Sequence, residues 1–394
     1  MNPNPGNSIP SPADRRHFLI LNLALFVSSL GMGIVVPLLP IYASQMGASG
    51  LSLGIFFASF NVSRGLAMPF MGRLSDRTGR KRFLSVGLFA YTLLSLAYVA
   101  SRDIYALTLT RTLQGIASAM VVPIGMAYAG DLSPPGREGT YMGILNVSLF
   151  GGFGFGPFLG GVLSDQFGID AGFYAMGFLS LATLILVLVR LPGEPVWRAE
   201  EGQQLLPMAR ILKERFLMGI LSFRLANAVS RGLYVSFLPL FASLEGGLSS
   251  SEIGIVISAN LLITAVLQAP AGRLADLASR RVLVTAGGLA YAVLFGVLPL
   301  SSSFSSLLVI SILLGGAGAL PLPAATALMA DRGRGYGMGT LMASFNMAQS
   351  VGMVVGPLLG GFLMDASGLL SVFVMGGVAG IAGSGIFYYR TAKA

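Results

Sequence analysis

Twelve apolar windows, each long enough to cross a bilayer as one helix, run through this 394-residue sequence, and short segments carrying most of its charge separate them. A hydrocarbon core about 30 Å thick needs about 20 helical residues at about 1.5 Å each. The windows fall at approximately 18–43, 51–72, 82–101, 104–130, 139–164, 168–190, 216–243, 252–272, 281–300, 304–330, 336–364 and 368–389. Inside lipid every backbone polar group must be satisfied within its own segment, so this pattern predicts an all-α polytopic membrane protein. Composition agrees, with 54% apolar and 10% charged residues against roughly 25% charged in a soluble domain. The first window is too long and too interrupted by proline for a cleaved signal peptide and is kept as a span.

Several chemistries are excluded. The chain has no cysteine and one histidine, His17 near its start. Thiol nucleophiles, disulfides and cysteine-based zinc sites are therefore impossible, and no metal or cofactor is expected. A membrane-embedded enzyme would need a nucleophile–base pair or metal ligands in mid-span; the windows offer no mid-span histidine, cysteine or carboxylate, so the chain is not read as an enzyme. The net charge of +9 sits between apolar runs, not on aromatic-interleaved basic stretches, so the lipid bilayer is the expected partner and nucleic acid is not.

The basic residues also give direction. Of 25 Lys and Arg, twenty fall on the side that holds both chain ends, four lie within spans and only Arg102 lies on the other side. The positive-inside rule then puts both termini in the cytoplasm of a multi-pass plasma membrane protein, in a bacterium the inner membrane.

Shifted by 200 positions, the sequence matches itself. Gly54, Gly72-Arg73-Leu74 and Asp76 fall on Gly254, Gly272-Arg273-Leu274 and Asp276; Asp131, Gly156-Pro157, Gly160-Gly161 and Asp165 fall on Asp331, Gly356-Pro357, Gly360-Gly361 and Asp365. Apolar composition alone does not place charged loop residues in register. The expected division is an N-terminal six-helix bundle, 1–190, a C-terminal one, 216–394, and a polar linker, 191–215, with Trp197 and Glu200-Glu201, forming a short amphipathic helix at the cytoplasmic surface. Same-direction halves of this kind suit one site exposed alternately to each side.

Residues 72–82, Gly-Arg-Leu-Ser-Asp-Arg-Thr-Gly-Arg-Lys-Arg, lie between spans 2 and 3. Gly72 would let a helix end approach its neighbour, Asp76 could face a helix N-terminus or pair with Arg80, and Gly79 would permit a tight turn. Span 5 carries Gly143, Gly152, Gly156-Pro157 and Gly160-Gly161, small residues that let helix backbones touch beside a proline that bends the helix. Span 1 adds Leu30-Gly31 with Pro37 and Pro40, and span 4 adds Arg111-Thr112-Leu113-Gln114-Gly115. These four motifs, with the repeat, resemble those of the major facilitator superfamily, in particular its twelve-span drug:proton antiporter branch. The resemblance implies two pseudo-symmetric six-helix bundles, rocker-switch efflux of a small-molecule substrate, protons as coupling ion, a monomer, and a cytoplasmic gating network of Asp76, Arg77, Arg80 and Asp131 that would clasp one half to the other when the carrier faces outward.

Polar residues within spans mark the expected cavity. Arg64 shares a face with Asn61, and Arg111 with Gln114 and Ser118. Arg224, Asn227, Arg231 and Tyr234 form one stripe of span 7 at i, i+3, i+7 and i+10. Asn260, Thr264 and Gln268 in span 8, and Asn346 with Gln349 in span 11, complete the candidates. All sixteen carboxylates lie in loops or at span ends, and where cation exporters of this family carry an acidic residue the first span offers Asn22, Ser28 and Ser29. Arginine keeps its charge when buried and needs an acceptor. The cavity is therefore expected to be cationic and to select an anionic or neutral amphiphile. An organic-anion importer, a lipid or lysolipid exporter and a non-pumping membrane sensor fit a basic cavity as well.

Overall fold

The computed structural model describes residues 12–133, 138–192, 214–301, 303–336 and 338–392, so most of the linker expected over 191–215 lies outside the described residues. Twelve helices long and apolar enough to cross a membrane are present among the described residues: Arg15–Gln45, Gly50–Thr78, Arg80–Ala100, Ile104–Asp131, Tyr141–Phe167, Asp170–Arg190, Arg215–Leu244, Ser250–Leu277, Arg280–Leu300, Phe304–Met329, Leu341–Ser367 and Leu369–Thr391. They are spans 1 to 12. Twelve crossings return the chain to the side on which it started; we call this the basic face and the other the opposite face.

Each expected window coincides with one span, and the differences have local causes. Span 1 breaks into Pro12–Val35 and Leu38–Gln45 because Pro37 carries no N–H. Span 10 breaks in the same way between Ala319 and Pro321. Spans 2 and 8 continue to Thr78 and Leu277, beyond the expected ends at 72 and 272, so most of the arginine-rich motif is helix and not loop. Hydropathy marks where a helix leaves lipid, not where it ends. Span 2 stops at Gly79, whose φ of 101° is left-handed and turns the chain into span 3 within one residue.

On the opposite face side-chain oxygens cap helix starts. Ser49 accepts the Ser52 N–H, Asp103 accepts those of Tyr105 and Ala106 at 2.9 and 2.8 Å, and Ser249 forms a capping box with Glu252. The packing repeats with the sequence. Span 1 lies against spans 5 and 6, span 2 against span 4, and span 3 against spans 4 and 6; span 7 lies against 11 and 12, span 8 against 10, and span 9 against 10 and 12. Contacts between the repeats run chiefly along two seams, span 5 on span 8 and span 2 on span 11. Phe89, Leu93, Phe178, Ile185, Val374 and Val378 of spans 3, 6 and 12 are exposed, as side chains meeting acyl chains should be.

Candidate functional site

The two repeats meet tightly at the opposite face. Span 5 ends with Asp165, whose oxygens accept the backbone N–H groups of Ser250 and Ser251 at 3.0 and 2.8 Å, at the start of span 8. Span 11 ends with Asp365, which accepts those of Gly50 and Leu51 at 2.6 and 2.8 Å, at the start of span 2. Each carboxylate thus meets the positive end of a helix in the other repeat, an arrangement that contributes about 0.3–1 kcal/mol when exposed. Behind them the backbones touch. A Cβ on Gly161 would lie 2.2 Å from the Ser250 carbonyl oxygen, and one on Gly361 2.1 Å from that of Gly50. The pattern continues inward, where Gly54 meets the Pro357 carbonyl and Gly254 that of Pro157.

The basic face is the reverse. A Cβ on Gly72, Gly143 or Gly272 would meet nothing within 4 Å. Gly72 therefore does not hold a helix end against a neighbour as its sequence context suggests. Between spans 5, 8 and 10 a groove of about 660 Å³ is lined by Asn146, Val147, Phe150, Val266, Gln268 and Thr326, among others.

Two adjoining cavities lie between the repeats, both walled by Val36 and Val235. The first, about 190 Å³, contains Arg64, Arg111, Asn61, Tyr91, Ser28, Ser29 and Ser118, closed by Phe153, Met353 and Pro357. Arg111 is 5% exposed, donates to Gln114 Oε1 at 2.6 Å and lies 4.3 Å over the Phe60 ring. Gln114 is fully buried, takes a second bond from Tyr98 at 2.7 Å and does not line the cavity; it orients Arg111. Arg64 Nε and Ser29 Oγ are buried without a hydrogen-bond partner among the described residues. Asn61 donates across the seam to Met353 O at 3.5 Å as well as to Phe57 O.

The second cavity, about 60 Å³, holds Asn227, Arg231, Tyr234, Asn260, Thr264 and Tyr291. Tyr234 bonds Ser311 at 3.3 Å, and Asn260 donates to Ser311 O at 2.9 Å. Arg224 departs from the stripe expected of span 7. Its guanidinium bonds Gln349 and lies 4.6 Å over Phe345, and it lines neither cavity. Asn346 is exposed on span 11 and lines neither cavity. No ion pair joins Arg64, Arg111, Arg224 or Arg231 to a carboxylate among the described residues.

At the basic face Arg80 pairs with Asp76 at 2.8 Å and with Asp131, while Arg77 is exposed. Arg80, Asp76 and Asp131 tie spans 3, 2 and 4 of one repeat together, and among the described residues their ion pairs stay within that repeat. The span 5 motif does bring backbones together: Gly152, Gly156 and Gly160 lie against Phe26–Ile34 of span 1, and Gly161 and Pro157 against span 8. Tyr91 and Tyr291, one in each cavity, escape a residue-by-residue reading; their signal is that they coincide under the 200-residue shift.

The sequence profile of the Major Facilitator Superfamily matches residues 21–246 and 220–394. An uncharacterized MFS-type transporter of Methanocaldococcus jannaschii is 28% identical over 95% of this chain and 98% of its own. Multidrug resistance protein 2 of Bacillus subtilis is 26% identical over 94% of each. Among solved structures, a bacterial homolog of the human lysosomal transporter Spinster, in an inward-facing and occupied conformation, superposes with a TM-score of 0.82 at 14% identity over 98% of both chains. The profile spans nearly the whole chain, and the chain belongs to the major facilitator superfamily.

Proposed function

We propose that the protein exports a small anionic or neutral amphiphile by alternating access, with the basic face in the cytoplasm and the cavities open to it in the state described. The reading rests on arginines within the spans that no carboxylate pairs among the described residues. A buried guanidinium without an acceptor is strongly unfavourable, and an anionic ligand supplies one. Arg64, Arg111 and Arg231 provide the charge. Asn61, Asn227, Tyr234 and Asn260 provide directional hydrogen bonds, and Phe153, Met353 and Pro357 an apolar wall.

Efflux is the direction supported by the multidrug resistance relative. The gating residues Asp76, Arg77, Arg80 and Asp131 would stiffen spans 2 to 4 as one body that rocks against the second repeat. The groove beside Val147, Phe150 and Val266 favours a second reading, export of a lipid-like amphiphile entering sideways from the inner leaflet.

Reconstitution into liposomes decides between substrate classes. The proposal expects efflux of an anionic dye, reduced by Arg231→Ala. Robust efflux of a permanently cationic dye, undiminished by the same substitution, would overturn it. Lysophospholipid movement exceeding that of the dye would select the second reading.

A further inference from the structure

Moving a proton against substrate needs a group in the alternately exposed path that gains and loses one near neutral pH. The sequence confines such groups to the ends of the spans. His17 lies at the basic-face end of span 1. Asp76 and Asp131 are held by Arg80 at that face, and Asp165 and Asp365 sit on helix N-termini at the other. Asp103 caps span 4 on the opposite face. The ionisable groups that line the two cavities are Arg64, Arg111 and Arg231 with Tyr91, Tyr234 and Tyr291. Guanidinium keeps its proton throughout, and an ordinary phenol releases its own near pH 10. Among the described residues that line the two cavities, charge is therefore fixed across the physiological range.

A fixed-charge carrier that binds an anion and returns empty moves the anion's own charge once per cycle. With the cytoplasm negative, the field drives that charge outward. A membrane potential of 100 mV sustains about a fifty-fold gradient for each negative charge carried. We propose that this transporter is electrogenic and driven by the membrane potential, exporting an organic monoanion, such as a sulfonate, carboxylate or phosphodiester on an apolar body, without exchanging a proton. The proposal rests on the anion-selective cavity argued above and adds the source of energy.

The test uses the full chain in liposomes with an anilinonaphthalene sulfonate as probe, which stays anionic at every pH employed. A potassium gradient with valinomycin sets the potential while pH is equal on both sides, and an entrapped pH dye follows protons. The expected result is a steady-state probe gradient that approaches fifty-fold at 100 mV, reverses with polarity and leaves internal pH unchanged relative to protein-free vesicles. Probe movement driven by a pH gradient at zero potential, with protons moving in the opposite direction, would overturn the proposal while leaving anion selectivity intact. Movement indifferent to potential and dependent on an anion on the far side would overturn it in favour of electroneutral exchange. If the sulfonate stays still while a matched trimethylammonium probe moves, the anionic cavity itself is refuted, and this proposal with it.

Discussion

The two repeats share a scaffold and differ in what they present to the cavity. Gly161, Pro157 and Asp165 have counterparts in Gly361, Pro357 and Asp365, and each set makes the same contacts in mirrored roles. The arginines have no such counterparts. Arg64 and Arg111 correspond to Thr264 and Ser311, while Arg224 and Arg231 correspond to Ala24 and Gly31. In the first repeat Arg111 lies over Phe60; at the equivalent place in the second, Asn260 donates to Ser311. The seam residues are duplicated and the cavity arginines are not, although Tyr91 and Tyr291 do coincide. A hinge between two bodies needs matched surfaces, whereas one ligand held between them needs only one complementary set of groups.

If the duplicated seam does the moving, the largest effect should come from filling it. Gly161→Leu and Gly361→Leu place a side chain against backbone that cannot retreat, at about 1–3 kcal/mol of overpacking each. Both should abolish most transport and, because the chain lacks cysteine, introduced thiols should show the opposite face labelled far more readily in either variant. Unequal outcomes would break the symmetry. In the unduplicated set, Arg231→Ala should weaken binding of an anionic amphiphile about ten- to a hundredfold, the range for hydrogen bonds to charged groups, measured by thermal shift of the purified protein.

Asp76→Asn loosens the link through Arg80 and should lower turnover several-fold with a smaller change in equilibrium binding; equal losses in both would remove its gating role. Asp165→Asn and Asp365→Asn should each shift labelling toward an open opposite face about two- to fivefold, matching the energy of a carboxylate at a helix N-terminus. Arg224→Ala should do least to ligand affinity, under about twofold, because its guanidinium is engaged by Gln349 and Phe345; its effect belongs in melting temperature.

Hydropathy makes the spans legible, since lipid leaves a helix no alternative, and the repeat is legible because its charged residues stay in register. The interior is harder to read. Arg224 and Arg231 lie on one stripe, and only packing against span 11 separates the one engaged by Gln349 from the one in the cavity. Gln114 reads as a cavity residue until the fold seats it behind Arg111. The partners of Asp165 and Asp365 are backbone N–H groups some 85 and 315 residues away in sequence, and backbone donors leave no mark in a sequence.

A cavity lined by Arg64, Arg111 and Arg231 should prefer negative charge. Equilibrium binding of two probes with the same aromatic body, one ending in sulfonate and the other in trimethylammonium, tests it without assuming direction or coupling. The sulfonate should bind at least about tenfold tighter, and Arg231→Ala should narrow the gap. Equal or tighter binding of the trimethylammonium probe to the unsubstituted protein would contradict it.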